Sequence, residues 1–273
     1  MIRQGIDEDI KKMADSYMMT EDLHTHTLYS KGRFKKHATG TIEENVQAAF
    51  ERGLEGVAIT EHGPEHIFYG MDRKKLPEMR EEICRLRPLY PKLKIFLSVE
   101  ADIYNKGYGL DVRPEEAGNY DFIIAGYHFG TRDACCVSNW IAAKTGSRRM
   151  AKKLAFKNTD MIIKALYEND IKVLTHPGDK AFVYMDQIAK ACADTNTLME
   201  ISTWHAHLTV DEIKTASKED VNFIISSDAH KPERVGTFKG GLVRAFKTAL
   251  DPEKIVNIKR IEEQYIEDRK SVV

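Results

Sequence analysis

Histidine and carboxylate recur in this chain at one kind of place, the end of a short apolar run. DLHTHT closes with His24 and His26, AITEH with His62, FLSVE with Glu100 and IIAGYH with His128. VLTHPG carries His176, and IISSDAH carries Asp228 and His230. Neutral imidazole and carboxylate are the usual ligand set for zinc, manganese and iron. Several such groups in a semi-buried pocket cost free energy when unpaired, and a metal cluster satisfies them together. A single strand-end histidine is more often a hydrogen-bonded structural residue, and a lone HxH says only that two side chains share a strand face. Five or more separate strand ends, each with a ligand type, point instead to a multinuclear metal site.

The elements that must position these residues alternate along the chain. Strand candidates are Met19–His24, Gly56–Thr60, Ile95–Glu100, Phe122–Gly126, Lys172–Thr175, Leu198–Ile201 and Asn222–Ser226. Helical periods lie between most of them. Thr41–Gly53 is the clearest: Ile42, Val46, Ala49 and Phe50 share a face, Thr41 and Glu44 form a capping box, and Gly53 suits the C-terminal cap. A second capping box pairs Thr209 with Glu212, and Ala151–Glu168 and Asp186–Asp194 are further helices. Tyr104–Asn119 and Gly130–Arg149 read as long loops, the charged first 18 residues as a surface helix, and the tail after Asp251 as ending in a helix. Strand–helix alternation without a Gly-rich phosphate loop predicts a parallel α/β barrel, read as one domain over 1–273. The C-terminal strand ends of such a barrel share one mouth, where these folds carry their chemistry.

Bulk properties agree with an ordinary globular enzyme. The 273 residues are 42% hydrophobic and 30% charged, with a net charge of −1, so no basic excess argues for nucleic-acid binding. No apolar run is long enough for a transmembrane helix, and MIRQGIDEDIKKMADSYMM lacks the apolar core of a signal peptide. The four cysteines, Cys84, Cys135, Cys136 and Cys192, form no CxxC pair or disulfide framework, and adjacent Cys135 and Cys136 read as two small buried residues. A cytoplasmic enzyme is the simplest reading.

Taken together, DLHTHT, AITEHG, VEAD, IIAGYH, THPG and SSDAH resemble the polymerase-and-histidinol-phosphatase (PHP) family of metal-dependent phosphoesterases, from about Asp22 to His230. The stand-alone bacterial phosphatase type is the most similar. The resemblance implies a distorted, TIM-like (β/α)7 barrel and a site for three divalent metals, Zn²⁺, Mn²⁺ or Fe²⁺. Carried over residue by residue, the ligands are His24, His26, His37, His62, Glu100, His128, His176, Asp228 and His230. His37, in HATGT, lies beyond a small insertion at Lys31–Lys36. The implied grouping gives one metal His24, His26, Glu100 and Asp228. A second shares Glu100 with His128 and His176, and a third takes His37, His62 and His230. Asp22 is implied to orient a ligand imidazole. Glu61 stands where the family often has Asp, Ser202 follows Glu200 where Glu-x-Asn is common, and His205 and His207 are additions.

The implied reaction is hydrolysis of a small phosphomonoester, such as histidinol phosphate, a nucleotide or a sugar phosphate, by a metal-activated hydroxide. Asp228 and His230 count among the candidate catalytic residues. His205, His207 or a metal-bound water is the candidate acid for the leaving group. Arg132, Lys231 and Arg234 flank ligand positions and are candidate substrate contacts. The alternatives are a phosphodiesterase or nuclease of the same family, a metal-dependent amidohydrolase or lactonase, and a non-catalytic metal-stabilised module.

Overall fold

The structure, a computed structural model, describes residues 2–30, 32 and 37–261. Nine strands are described: β1 Tyr17–Met19, β2 Glu21–Thr25, β3 Gly56–His62, β4 Lys94–Asp102, β5 Phe122–Gly126, β6 Val173–Leu174, β7 Leu198–Ser202, β8 Phe223–Ser226 and β9 Ile258–Arg260. Strands β2 to β8 pair in parallel in chain order, and β1 pairs antiparallel with β9 outside them. The row of seven curls until its ends meet. Thr25 bridges to Ala229, and the His26 amide donates to the Ala229 carbonyl at 2.7 Å. The result is the nearly closed (β/α)7 barrel that the sequence implied.

Strand alternation explains how one barrel interior is both greasy and polar. Side chains two residues apart face the same way. Ala58, Phe96, Phe122, Ile124, Val173, Leu198 and Ile224 share an apolar cluster with Leu23, separate from the larger core beneath the helices. Moving along the same faces toward the C-terminal ends, Ala58 leads to Thr60 and His62. Phe96 leads to Ser98, Glu100 and Asp102, and Leu198 leads to Glu200 and Ser202. Strand β2 gains a register shift between Asp22 and Thr25, where three steps oppose two on β3. Such a bulge re-aims side chains. After Leu23 it turns His24 toward the interior.

The helical readings hold where caps and periodicity agree. Ile42–Glu51 carries the Thr41–Glu44 capping box, and Val210–Ala216 carries the Thr209–Glu212 box. Ile42, Val46 and Ala49 are buried, whereas Phe50 is exposed. Helices Arg148–Glu168 and Met185–Asp194 stand where expected, as does Ile2–Asp15. Three expectations need correction. The stretch Gly130–Arg149 is not a loop, for it contains the helix Cys136–Thr145. That helix buries Asn139 and Ala142 and exposes Val137 and Trp140, so its polarity is inverted and the usual periodic signal is absent. The loop Tyr104–Asn119 contains the short helix Pro114–Ala117. Cys135 and Cys136 are half-buried rather than buried. The tail after Asp251 forms a short 3₁₀ turn and β9, and the rest of its expected helix lies outside the described residues. No described helix is long and apolar enough to cross a membrane.

Candidate metal centre

Glu100 lies at the middle of the barrel mouth. Its Oε1 lies 3.0 Å from His176 Nε2 and 3.1 Å from His128 Nε2, and it accepts from Thr175 Oγ1 at 2.7 Å. Its Oε2 lies 3.1 Å from His62 Nδ1, 3.3 Å from His24 Nε2 and 3.6 Å from His26 Nε2. This crowding requires Gly126 at the end of β5. A Cβ there would stand 2.1 Å from Thr175 Oγ1, 3.1 Å from His176 Cε1 and 3.3 Å from Glu100 Oε1.

Asp228 closes the other side. Its Oδ1 lies 3.4 Å from His26 Nε2 and 3.6 Å from His24 Nε2, and its Oδ2 lies 3.1 Å from His205 Nε2. Beyond it, His37 Nε2 lies 2.9 Å from His62 Nε2 and 2.8 Å from His230 Nε2. The backbone pivots here: His176 (φ 28°) and Asp228 (φ 50°) occupy positive-φ conformations uncommon for non-glycine residues. Such strain is held in place by its surroundings and clusters at functional sites.

Tautomer accounting tests whether this set fits metal ions. His24 Nδ1 is 2.7 Å from Glu200 Oε1, His128 Nδ1 is 2.6 Å from Asp102 Oδ1, and His230 Nδ1 is 2.9 Å from the Asp228 carbonyl. Each partner only accepts, so each Nδ1 carries the proton and each Nε2 presents a lone pair. Those lone pairs meet other acceptors: Glu100 oxygens for His24 and His128, and His37 Nε2 for His230. Extra protons, which burial opposes, or cations remove that repulsion. Among the described residues, Glu100 Oε2, His62 Nδ1, His128 Nε2 and His176 Nδ1 are buried without a hydrogen-bond partner. Four triads place ligand atoms within 4.8 Å of one another: His26–His62–His230, His24–His26–Asp228, His62–Glu100–His128 and His176–His205–Asp228. Orphaned lone pairs converging on two carboxylates suit divalent cations.

The sequence profile described as PHP domain matches residues 22–204. The chain belongs to the PHP domain family. It is 26% identical over 268 residues to a protein named probable phosphatase from Caldanaerobacter subterraneus, covering 92% of each chain. It is 22% identical over 272 residues to the DNA polymerase/3'-5' exonuclease PolX of Bacillus subtilis, covering 94% of this chain but 43% of PolX. Its fold resembles histidinol phosphate phosphatase from Lactococcus lactis, solved with zinc, L-histidinol and phosphate. The TM-score is 0.54 at 15% identity, over 84% of this chain and 92% of that one.

Around the cluster, this PHP domain opens a cavity of about 180 Å³. Its walls include Tyr69, Phe129, Lys180 and Trp204, none of which the motifs single out. His205 also lines it, with Nδ1 3.2 Å from Asp179 Oδ2. His207 does not; its Nδ1 pairs with Glu212 at 2.9 Å. Arg132 lines a neighbouring cavity with Arg73, Lys106 and Arg113. Lys231 is exposed, and Arg234 stacks over Trp204 at 5.1 Å.

Asp22 departs from the role the resemblance implied. Its carboxylate accepts from the Ser227 amide at 3.1 Å, the Ser227 hydroxyl at 2.5 Å and the Gly236 amide at 2.7 Å, and it touches no imidazole nitrogen. It ties β2 to the loop that presents Asp228. Orientation of the imidazoles falls to Glu200 and Asp102 instead. Glu200 also accepts from the His176 amide at 2.8 Å, which couples two ligand-type residues to one carboxylate. Glu61 has a comparable bracing task. It accepts from the Thr27 amide at 2.9 Å and from the Thr27 and Ser30 hydroxyls. Burial pushes its carboxyl up to about 7 against those donors.

Burial opposes charge throughout the mouth, and neighbours overcome it at some positions and not at others. The imidazoles around Glu100 and Asp228 outweigh desolvation and hold both carboxylates well below the usual range. Desolvation would also lower His128, but Glu100 and Asp102 raise it to about 10. Desolvation wins at His26, His62 and His176 even beside these carboxylates, and at His37 burial together with His62 and His230 brings it to about 2.

Proposed function

We propose that this chain is a metal-dependent phosphoesterase that hydrolyses a small phosphomonoester of the histidinol phosphate, nucleotide or sugar phosphate kind. The observation that carries the reading is the placement of Glu100, whose two oxygens face separate groups of imidazole nitrogens. His24, His26, Glu100 and Asp228 would hold one divalent ion, Glu100, His128 and His176 a second, and His37, His62 and His230 a third. Ions so held, whether zinc, manganese or iron, offset phosphoryl charge and lower the pKa of water toward neutrality. The phosphatase name of a full-length relative and the zinc and phosphate of the Lactococcus lactis structure support this chemistry.

The chain's own residues supply orientation, enclosure and a proton. Glu200 and Asp102 fix two imidazoles with their lone pairs inward, so the ligand set is preorganised. Tyr69, Phe129 and Trp204 give the cavity apolar walls. Its small volume favours a compact ester over a polynucleotide. Lys180 brings a positive charge to the same wall. His205 sits between Asp179 and Asp228. Desolvation would lower it, but in the metal-free site those two carboxylates raise it to about 9, and its Asp179 partner would keep a proton on the ring for the leaving alkoxide.

The test is phosphate release from a panel of monoesters, with protein stripped of metal and reloaded separately with Zn²⁺, Mn²⁺ or Fe²⁺. Metal-dependent release is expected from at least one small ester. Folded, metal-loaded protein that cleaves only diesters or amides would replace this reading with the nuclease or the amidohydrolase one.

A further inference from the structure

One imidazole in the cavity is built the opposite way to His128 and His230. His66 is buried and lines the same cavity as Glu100, Asp228 and the ligand-type histidines. Its Nδ1 accepts two backbone hydrogen bonds, from the Phe68 amide at 3.2 Å and the Tyr69 amide at 3.0 Å. A nitrogen that accepts from two N–H groups carries no proton itself. In a neutral ring the proton then sits on Nε2. His24, His128 and His230 show the reverse, with a protonated Nδ1 and a lone pair on Nε2. His66 therefore offers the cavity a donor where they offer an acceptor. It could bind a cation through Nε2 only as imidazolate.

Its surroundings fix this orientation. The His66 ring stacks on Tyr69 with centroids 5.1 Å apart and planes at 21°. It lies 5.3 Å from the His62 ring and 5.7 Å from the His128 ring. Gly130 (φ +113°) backs it, and a Cβ there would stand 2.6 Å from Phe68 and 3.3 Å from His66 Cε1. Within the 66–70 turn, Gly70 donates to the His66 carbonyl at 3.1 Å. Among the described residues, Nε2 has no hydrogen-bond partner, although the ring is held on its other side by two. A fixed donor without a partner, in a cavity that also holds the Lys180 ammonium, suits an oxygen-rich ligand.

We propose that His66 is a substrate-binding residue and not a metal ligand, its Nε2–H aimed at an oxygen of the phosphate ester. This rests on the phosphoesterase reading for the identity of the ligand, whereas the tautomer rests on the backbone geometry alone. Two variants separate the two sides of the ring. In His66→Asn, Oδ1 can replace Nδ1 as acceptor for Phe68 and Tyr69, while the outer donor is lost. In His66→Gln, a terminal amide N–H stands near the place of Nε2. We expect His66→Asn to keep wild-type metal content and melting temperature but to lose about 10²-fold in kcat/KM. His66→Gln should recover at least about tenfold of that loss. Wild-type kcat/KM in His66→Asn, a lower metal content in it, or equal activity in the two variants would overturn the proposal.

Side-chain ¹⁵N–¹H correlation spectra of wild-type protein give a readout independent of turnover. They should assign the proton of His66 to Nε2 with and without Zn²⁺; a proton on Nδ1 would overturn the proposal outright. Metal-loaded wild type that hydrolyses no phosphate ester would overturn the functional reading and the ligand named here. The tautomer would still be decided by the spectra.

Discussion

The two ends of the barrel interior are built from the same strand faces on opposite principles. At the floor, Leu23, Ala58, Ile124, Val173 and Ile224 bury one another, with Phe96, Phe122 and Leu198 packed alongside. Within that cluster apolar side chains meet one another and leave no polar group to satisfy. At the mouth, two to four residues further along, lone pairs meet carboxylate oxygens and other lone pairs. Nothing in the described chain resolves those contacts. Dispersion stabilises the floor whatever the solution contains. The mouth depends on what it binds, so the two ends should respond differently to mutation, chelation and pH.

The largest effect belongs to the mouth. Asp228→Ala, His26→Ala or Glu100→Gln should lower phosphate release by at least about 10³-fold. Each should also reduce the metal bound per chain, measured by elemental analysis, with an unchanged circular dichroism spectrum. Full metal content with normal turnover in any of them would remove that residue from the ligand set. At the floor, Ile124→Ala should cost about 2–5 kcal/mol in denaturant unfolding of metal-loaded protein, because a buried side chain leaves a cavity. Metal per chain should not change. If Ile124→Ala empties the centre, floor and mouth are one cooperative unit and the contrast fails.

The same contrast explains what the sequence disclosed. The mouth was legible because its residues follow the alternation of the strands: once β3, β4 and β7 are placed, His62, Glu100 and Glu200 follow at every second position. The structure gathers all nine residues that the family resemblance pointed to, including His37 across the insertion. What escaped depends on tertiary contacts. The β2 bulge that re-aims His24 leaves no mark in DLHTHT. Asp22, adjacent to the motif, braces backbone, while Asp102 and Glu200, from two other strands, orient the imidazoles. The helix Cys136–Thr145 was hidden by an inverted polarity. His66 follows His62 by one helical turn's spacing in a segment that is not a helix, and only the backbone amides of Phe68 and Tyr69 reveal its tautomer.

Acidity offers a graded way to sharpen the comparison. In metal-free protein, His128 is raised from 6.5 to about 10 and His205 to about 9. A histidine whose folded pKa exceeds its unfolded value binds a proton more tightly in the folded state. Its stabilising contribution is complete below pH 6.5 and is lost as pH rises through 9 to 10. The melting temperature of stripped protein should therefore fall between about pH 7 and 10. Loaded protein should resist the part of that fall that belongs to His128, because metal competes with protons for its Nε2 and binds more tightly as they are removed. A stripped protein that gains stability over this range would show that the mouth does not store protons in place of metal.

The smallest effect tests where the mouth ends. His207 lies two residues from His205 and carries the same chemistry, yet its Nδ1 pairs with Glu212 and its ring does not line the cavity. Glu212 also accepts from the Thr209 amide at 2.7 Å, so the pair belongs to the cap of helix Val210–Ala216. Removing a partly exposed partner from such a pair costs about 0–1 kcal/mol. His207→Ala should thus keep kcat/KM within about threefold of wild type, where His205→Ala should lose about 10²-fold or more through the missing proton donor. Equal losses in the two variants would mean that the cavity extends to His207 when substrate is bound. Position along the chain would then have predicted function better than position in the fold.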